Sequence, residues 1–249
     1  MRVDFQQYLL FCSVNPVKKK LASAFLENVL MQASSANPIW RRTKGKNMQV
    51  YTEYESPLGK LMLAADDATL IGAWFDSQKY FAASLDFTHA QKVNIETAVQ
   101  EKSVCTLDVK AQGKAKENIE LKKKEEAAPG FAILQNAKNW LQLYFSGTEP
   151  DFSVPLHFAG TSFQKAVWGM LCEIPYGKTV TYGELANRLS KANGGKRVSA
   201  RAVGGAVGKN PISVFAPCHR VIGADGSLTG YAGGVWRKEK LLELEQTGK

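Results

Sequence analysis

A cysteine and a histidine stand side by side, as Cys218 and His219, in the segment VFAPCHRVIGADGSLTGYAGG of residues 214–234. A thiol at its ordinary pKa of about 8.5 is mostly protonated at neutral pH, so it needs a nearby base to become a nucleophile. Histidine can be that base, and a carboxylate behind it can orient and polarise the ring. The last helical segment, VWRKEKLLELEQ, contains acids that could supply the carboxylate. The pair therefore indicates a reactive thiol, suited to soft electrophiles such as saturated carbon.

Residue type alone leaves a second interpretation open for Cys218, because a lone cysteine is usually a small buried hydrophobic residue. The other three cysteines, Cys12, Cys105 and Cys172, are widely scattered and form no CxxC pair. This spacing argues against a zinc cluster and against a disulfide scaffold, and it fits a reducing compartment. Cys172 lies beside a leucine on an amphipathic segment and is predicted to be a core residue. We expect neither a metal nor a cofactor.

The segments before this motif predict a small α/β domain over residues 48–156. MQVYTEYES, KLMLAA and TLIGAWF alternate or run apolar between turns, which predicts an antiparallel meander. FAILQNAKNWLQLYFSG predicts a helix that ends at a glycine, and FSVPL at 152–156 predicts a last strand. Residues 88–128 lose apolar periodicity and are predicted to be an exposed insertion. Residues 1–47 are predicted to be a poorly ordered extension.

The pattern of residues 157–249 predicts a mainly helical domain. Ser162 is predicted to cap a helix whose inward residues are Phe163, Val167, Met170 and Leu171. The segment from Thr181 to Glu184 predicts a capping box at the start of the next helix. After a Gly-Gly connection, KRVSARAVGGAVGK predicts a third helix that carries Lys196, Arg197 and Arg201. These two short helices are a helix-turn-helix candidate, and a plain helical hairpin is the commoner alternative.

Charge is distributed unevenly along the chain. The net charge is +6 over residues 1–47, −4 over 48–159 and +7 over 160–249. A basic C-terminal third suggests a polyanionic partner such as nucleic acid, although a lysine-rich solvated surface would give the same count. The sequence has no apolar run of about 18 residues and no convincing signal peptide at its start. We therefore expect no membrane partner and a location in the cytoplasm or nucleoid, or in the nucleus of a eukaryote.

Three stretches carry a family resemblance. PCHRVIGADGSLTGYAGG resembles the active-site signature of the O6-alkylguanine-DNA alkyltransferases, also called methylated-DNA–protein-cysteine methyltransferases. FQKAVWGMLCEIPYGKTVTYGELA is similar to the start of their C-terminal domain, and ARAVGGAVGKNPISVFAPCHRV to their recognition helix, asparagine hinge and active-site strand. The resemblance is dense over about 160–245 and weaker over 48–81 and 130–156. It implies a ribonuclease H-like α/β N-terminal domain and a mainly α, winged helix-turn-helix C-terminal domain.

The resemblance also implies an activity and a partner. The family transfers an alkyl group irreversibly from O6-alkylguanine in DNA to its own cysteine, so each molecule acts once, and O4-alkylthymine is a further candidate substrate. The implied partner is alkylated double-stranded DNA, entered through the minor groove by a monomer. Two readings from other classes stay open. One is a non-catalytic lesion-binding protein of the same fold, whose members lack the cysteine. The other is a basic helix-turn-helix transcription factor, which would not need the PCHR turn.

The family pattern assigns catalytic roles to five residues of this chain. Glu245, His219, a water and Cys218 form a relay that makes the thiolate. Asn210 braces the turn that bears the cysteine. Tyr182 presses on the flanking phosphate and helps to protonate the leaving guanine.

The same pattern assigns the DNA and pocket contacts. Arg201 is implied to fill the gap left by the flipped nucleotide, and small neighbours such as Ala200 and Ala202 permit close approach to the groove. The carbonyls of Cys218 and Val221 are expected to read the guanine amino group, while the pocket is walled by Tyr231, Ala232 and Gly233. One departure concerns the wall: Ala232 stands where some relatives have serine, so one side-chain hydrogen bond to the O6 position is absent.

Overall fold

A computed structural model of the protein describes residues 48–95 and 130–248, and the fold is given for these ranges. The predicted extension over 1–47 lies outside the described residues, as does the predicted insertion from residue 96 onward. Within the two described ranges, none of the helices has the length and apolar character needed to cross a membrane.

Three strands form the predicted meander. They are β1 (Gln49–Ser56), β2 (Gly59–Ala65) and β3 (Leu70–Phe75), and both adjacent pairs are antiparallel. The first turn is tight, with Ser56 opposite Gly59 in the register, and Gly59 takes a φ of 103° that L side chains rarely adopt. The antiparallel meander predicted from the sequence is confirmed.

A fourth strand makes the sheet mixed. Strand β4 (Ala90–Lys92) pairs in parallel with β1, which gives the order β3-β2-β1-β4. The prediction of a purely antiparallel sheet is therefore wrong at this edge. The strand falls inside the range predicted as an exposed insertion, and the residues that follow it, Val93 and Ile95, are buried. Three residues are too few to show an alternating pattern, so periodicity cannot predict this strand.

Helix α1 (Phe131–Phe145) follows Gly130 and packs on the sheet. A side chain at residue 130 would place its Cβ only 2.4 Å from the carbonyl oxygen of Asp66, so only glycine fits there. The strand predicted at 152–156 is reduced to one bridge, between Leu70 and Leu156. Pro155 has no N–H to donate, so the ladder cannot extend toward residue 152 through that residue.

Helix α2 (Ser162–Cys172) begins one residue earlier than its predicted cap implies. Thr161, not Ser162, is the N-cap: its hydroxyl accepts from Gln164 N at 3.2 Å, and the Gln164 side chain accepts from Thr161 N at 2.9 Å. Three residues after Ser162 stands a lysine, which cannot accept in this way. Phe163 is exposed, against the prediction, and Trp168 is buried.

Helices α3 (Tyr182–Ala192) and α4 (Ala200–Val207) pack against each other. The predicted capping box of α3 is confirmed, with Thr181 and Glu184 each accepting from the other's backbone N–H. Helix α4 starts later than predicted because Ser199 caps it by accepting from Ala202 N. Two of the three basic residues predicted on this helix, Lys196 and Arg197, therefore lie in the preceding connection, and only Arg201 is on α4.

Helix α5 (Val235–Thr247) completes the fold and contributes to the larger of two clusters of buried residues in the described ranges. One cluster of buried residues joins the sheet, α1 and the C-terminal helices, and it includes Leu61, Leu141, Val167, Val203 and Leu241. The cluster runs across the predicted domain boundary near residue 156, and the division into domains stays a prediction. Cys172, predicted to be a core residue, is exposed at the end of α2.

We expect a chain that begins at Met48 to fold. Strand β1 starts at Gln49, and Val50 is the first of the described residues that belongs to the core. Circular dichroism should show cooperative thermal unfolding with a midpoint within a few degrees of that of the full chain. A chain that begins at Gly59 lacks β1 and is the matched control, which should not unfold cooperatively. Loss of cooperative unfolding in the Met48 chain would contradict the expectation.

Candidate active site around Cys218

Cys218 begins a short 3₁₀ helix (Cys218–Arg220) that leads into strand β6 (Val221–Ile222). Strand β6 pairs in parallel with β5 (Val180–Thr181), immediately before α3. Cys218 is 4% exposed, so its thiol lies inside the fold.

The loop that leads to Cys218 is braced by the amide of Asn210. Asn210 Nδ2 donates to the carbonyl oxygen of Ala216 at 2.8 Å and lies 3.2 Å from Cys218 Sγ. Asn210 Oδ1 accepts from Ile212 N at 3.1 Å. Within the loop Val214 has a φ of 72°, a costly conformation for a β-branched residue. One buried side chain thus holds both ends of a strained loop and touches the thiol.

The same loop is attached to the edge of the sheet. Ala73 N donates to Pro211 O at 3.0 Å, and Ser213 N donates back to Ala73 O at 2.8 Å. The Ser213 hydroxyl also donates to Gln78 Oε1 at 2.9 Å. Because β3 is an edge strand, these bonds extend the sheet into the loop that carries Cys218.

His219 is completely buried, and one of its ring nitrogens faces a carboxylate. Its Nε2 lies 2.7 Å from Glu245 Oε1. An ionised carboxylate can only accept, so Nε2 carries the hydrogen and Nδ1 is left as the unprotonated, basic nitrogen. Nδ1 has no hydrogen-bond partner among the described residues. Burial lowers the pKa of His219, although Glu245 opposes this, and the resting ring is neutral.

Glu245 is the most densely bonded side chain of the site. It accepts five hydrogen bonds, two of them from Arg220, and one each from His219, Tyr144 OH at 2.6 Å and Gly177 N at 3.0 Å. Burial by itself would raise the pKa of this carboxyl, but His219 and Arg220 lower it to about 2. Glu245 is therefore an ionised carboxylate inside the protein, stabilised by paired donors.

Arg220 and Tyr144 complete the surroundings of Glu245, and the sequence did not identify either as a site residue. Arg220 is 8% exposed, donates to Ile174 O at 2.6 Å and stacks over the Tyr176 ring at 5.6 Å. Arg220 stands next to the histidine in the motif, but its pairing with a carboxylate is visible only from its hydrogen bonds to Glu245 in the structure. Tyr144 is a buried residue of α1, and nothing in its helical segment marks it as a site residue.

Lys238 is a third functional candidate that the sequence did not identify. Its side chain is fully buried, and Nζ donates to Val221 O at 2.6 Å and to Thr229 O at 3.0 Å. Burial raises the pKa of Cys218, while the Asn210 amide and the positive charge of Lys238 lower it. Lys238 stands in the run WRKEK, where nothing in the sequence separates it from its exposed neighbours.

Two tyrosines adjoin the thiol. Tyr182 OH donates to Thr229 O at 3.0 Å. Burial, with Cys218 nearby, raises the pKa of both Tyr182 and Tyr231, so each phenol keeps its proton. Gly204 of α4 faces Tyr182, and a Cβ there would lie 3.7 Å from the ring. This contact links the helix to the site.

Residues 231–234, here called the pocket lip, begin at Tyr231, which lies near enough to Cys218 for the two groups to interact electrostatically. Ala232 O accepts from Lys79 N at 3.0 Å, and Gly233 O accepts from Arg237 Nη1 at 2.6 Å. A Cβ at Gly233 would lie 2.9 Å from the Tyr231 ring, so the backbone here packs without a side chain. The lip is thus fixed by one contact from the sheet side and one from α5.

The predicted site residues fall into three groups. Those at or near the thiol are Asn210, Cys218, His219, Glu245, Tyr182 and Tyr231. Those in the adjoining strand β6 and in the pocket lip are Val221, Ala232 and Gly233. Those on the exposed surface of α4 are Ala200, Arg201 and Ala202. Among residues 48–95 and 130–248, no three His, Cys, Asp or Glu side chains group in a way that could hold a metal ion. The arrangement can support nucleophilic chemistry, because it combines a thiol, a neutral imidazole and a buried carboxylate.

Replacing Glu245 by glutamine should destabilise the fold by about 3 kcal/mol at neutral pH, because Arg220 would remain buried without its counter-charge. The pKa of Glu245 is lowered from its ordinary 4.5 to about 2, so its charge stabilises the fold above pH 4.5 and this stabilisation is lost as the pH falls toward 2. The difference between wild type and Glu245→Gln should therefore shrink in acid. Urea unfolding at several pH values measures it.

Glu243→Gln is the matched control, since Glu243 is an exposed carboxylate on the same helix that pairs with Lys240. Its effect should stay within about 0.5 kcal/mol at every pH. Equal effects of the two substitutions would contradict the assigned role of Glu245.

Comparison with known proteins agrees with this geometry. A family model described as the DNA-binding domain of 6-O-methylguanine DNA methyltransferase matches residues 162–247. An inducible methylated-DNA–protein-cysteine methyltransferase of Bacillus subtilis is 52% identical over 103 residues, which are 41% of this chain and 55% of that protein. The chain thus spans little more than half the length of that relative.

Two further comparisons extend over most of both chains. The methylated-DNA–protein-cysteine methyltransferase of Haemophilus influenzae is 36% identical over 197 residues, 79% of this chain and 86% of that protein. The crystal structure of Mycobacterium tuberculosis OGT in complex with DNA superposes with a TM-score of 0.55 at 36% identity, and it covers 80% of this chain and 93% of that one. With a buried cysteine, histidine and carboxylate at the matching motif, the chain belongs to the methylated-DNA–protein-cysteine methyltransferase family.

Proposed function

We propose that this protein repairs DNA by moving the alkyl group of O6-alkylguanine irreversibly onto Sγ of Cys218. The observation that carries the proposal is the hydrogen bond of 2.7 Å between His219 Nε2 and Glu245, which leaves Nδ1 of a buried histidine available as a base next to a buried thiol. Family membership gives the chemical class of the electrophile. The DNA substrate places the protein in the cytoplasm, at the nucleoid, or in a nucleus.

The first step is removal of the thiol proton. We infer that a water links Cys218 Sγ to His219 Nδ1, so that the proton moves from sulfur through the water to the ring. Glu245 remains ionised and stabilises the imidazolium that forms. The Asn210 amide, 3.2 Å from Sγ, and the charge of Lys238 stabilise the thiolate.

The second step is displacement at saturated carbon. The thiolate attacks the alkyl carbon, a carbon–sulfur bond forms, and the bond from that carbon to O6 breaks with its electron pair leaving on the guanine. Tyr182, which keeps its phenolic proton, is the proposed donor to the departing base. The Tyr182 phenolate then regains, through solvent, the proton that His219 took from the thiol, so the sum is a thioether on Cys218 and an unmodified guanine, with no further reactant. A thioether is stable, so each molecule reacts once.

DNA recognition is assigned to α3, α4 and the short β5–β6 pair, which we infer to be a winged helix-turn-helix module beside a ribonuclease H-like domain. A buried thiol cannot reach a base inside the duplex, so the damaged guanine has to be flipped out. Small exposed residues, Ala200 and Ala202, let α4 approach the backbone in the minor groove. Arg201 lies between them and is assigned to the space left in the stack.

Backbone groups of the site can recognise the flipped guanine. The carbonyl of Val221 accepts from Lys238, and that of Cys218 accepts from Val221 N. A carbonyl oxygen has two lone pairs, so each can still accept from the guanine amino group. Tyr231, Ala232 and Gly233 of the pocket lip are assigned to the wall, where backbone N–H groups serve O6 in place of the missing serine hydroxyl.

The two rival functions fit the site less well. A lesion-binding protein without transfer needs no thiol, and a transcription factor needs no buried base behind one. Here a base, a carboxylate and a supporting arginine surround Cys218, and burying such charges costs free energy that simple binding does not repay.

Cys218→Ser should abolish transfer and keep most of the affinity for DNA, because the thiol makes the new bond while α4 and phosphate contacts bind the duplex. The test mixes each protein with a duplex that contains O6-methylguanine and follows it by mass spectrometry. Wild type should gain one methyl mass on the peptide that contains Cys218, and the variant none. Binding that falls as far as transfer would contradict this separation, and an unmodified wild type would refute the proposed function.

Arg201→Ala should slow repair of a duplex by about tenfold or more, or about 1.4 kcal/mol, because the arginine offsets part of the cost of flipping. Reaction with free O6-benzylguanine, which has nothing to flip, should stay within a few-fold of wild type. Single-turnover rates on the two substrates measure the difference.

Salt separates this role from a simple phosphate contact. Removing a phosphate contact would lower the slope of log affinity against log salt by about one unit, whereas the loss of an inserted side chain persists at high salt. An equal loss on duplex and free base would mean that the pocket is damaged, and the assignment of Arg201 would be dropped.

A further inference from the structure

An exposed aromatic ring between two lysines lies beside the pocket lip. Tyr80 is 45% exposed, and Lys79 Nζ and Lys209 Nζ lie 5.2 Å and 5.9 Å from its ring centroid. Lys79 and Tyr80 follow β3, while Lys209 follows α4, so distant segments of the chain meet here. We call Lys79, Tyr80 and Lys209 the mouth surface.

The mouth surface is positively charged and lacks acidic partners among the described residues. Neither lysine takes part in the ion pairs found within 48–95 and 130–248. Both side chains are exposed, and two ammonium groups near one ring repel each other. Two positive charges without acidic partners among the described residues can bind an anion.

The backbone that presents Tyr80 is strained and firmly held. Ser77, Tyr80 and Ala82 have φ angles of 63°, 63° and 50°, a region that residues other than glycine seldom occupy. Buried Gln78 fixes this turn, since its Oε1 accepts from Phe75 N at 3.1 Å and from the Ser213 hydroxyl at 2.9 Å. Strain of this kind persists where the surrounding structure imposes it, and it tends to accompany function.

The position of the mouth surface relates it to the reacting sulfur. Lys209 directly precedes Asn210, whose amide lies 3.2 Å from Cys218 Sγ. Lys79 N donates to Ala232 O at 3.0 Å in the pocket lip. The surface therefore adjoins both the end of α4 and the wall assigned to the flipped base.

We propose that the mouth surface binds the DNA strand that carries the flipped nucleotide, with the two lysines on backbone phosphates and the Tyr80 ring against a neighbouring sugar or base. Phosphate binding by lysine and stacking on an exposed aromatic ring are the two contacts by which proteins hold an unstacked strand. This inference rests on the proposed function, and it makes the loop after β3 part of the DNA-binding surface.

Salt dependence tests the lysines. Affinity for a duplex with O6-methylguanine is measured in the Cys218→Ser background, with Lys79→Ala, Lys209→Ala and the double variant. Raising the salt from about 50 to about 200 mM lowers the affinity of every protein. Relative to the parent, this fall should be about 3.5-fold smaller for each single variant and about 12-fold smaller for the double variant, as the loss of one or two phosphate contacts requires. Lys92→Ala is the control, because Lys92 is exposed on β4 at the opposite edge of the sheet.

Conservative variants test the ring. Tyr80→Phe keeps an aromatic face and should bind as tightly as the parent, whereas Tyr80→Asn, which tolerates a positive φ, should bind about tenfold more weakly, the loss expected for one stacked base. Thermal unfolding of each variant shows whether the turn is intact. If Tyr80→Asn unfolds early, it is replaced by Tyr80→Gly, because glycine adopts this region of φ freely and carries no ring.

Two results would overturn the inference. One is a salt slope for the double lysine variant equal to that of Lys92→Ala, which would mean that the lysines do not contact phosphate. The other is equal binding by Tyr80→Asn and Tyr80→Phe. Failure of the proposed function is distinguishable, because it would appear as an unmethylated Cys218 in the wild-type protein, whatever the salt slopes.

Discussion

The buried carboxylate of Glu245 is the interaction on which the rest of the structure depends. Placing an ionised group in the interior is costly unless donors surround it, and α1, the turn at Gly177, the 3₁₀ helix and α5 each supply a contact or the carboxylate itself. These elements come from distant parts of the chain. The requirement to satisfy one charge therefore fixes how α1 and the C-terminal helix approach each other, and it sets the tautomer of His219 at the same time. Folding and acid–base chemistry share one set of hydrogen bonds.

A second constraint concerns the loop from Asn210 to Cys218. The amide of Asn210, at its first residue, and backbone bonds to the edge strand β3 impose its shape and keep Val214 at a positive φ. A β-branched residue such as valine does not favour that conformation by itself. The thiol is thus positioned by the sheet as much as by its own helix, which explains why the N-terminal strands accompany a reactive centre that they do not themselves contain.

Local signals in the sequence predicted the meander, α1, the capping box of α3 and α5, because periodicity and caps act within a few residues. The motif around Cys218 identified the thiol and its histidine, and the family pattern added Asn210, Tyr182 and Glu245. What the sequence could not supply depends on burial and long-range pairing. In the sequence Lys238 resembles its exposed neighbours, and only the structure shows that its Nζ donates to two carbonyl oxygens. Tyr144 likewise resembles an ordinary core residue until its hydroxyl is found to donate to Glu245. Strand β4 is too short to show any pattern. Thr161 rather than Ser162 caps α2 because Thr161 and Gln164 form reciprocal hydrogen bonds.

The attachment of the loop to β3 has a consequence for solubility. An edge strand with free N–H and C=O groups is a template for pairing with another chain, and β3 is entirely buried and apolar, with leucine, isoleucine, tryptophan and phenylalanine in six residues. The loop from Pro211 to Ser213 occupies the polar groups of Ala73, and Pro155 and His157 occupy those of Leu70. If the loop opened, the backbone N–H and C=O groups of the hydrophobic strand β3 would be free to pair with another molecule. The same segment that carries the proposed nucleophile thus also covers the edge of β3, so a mutation that loosens the loop is expected to lower the yield of soluble protein as well as the proposed activity.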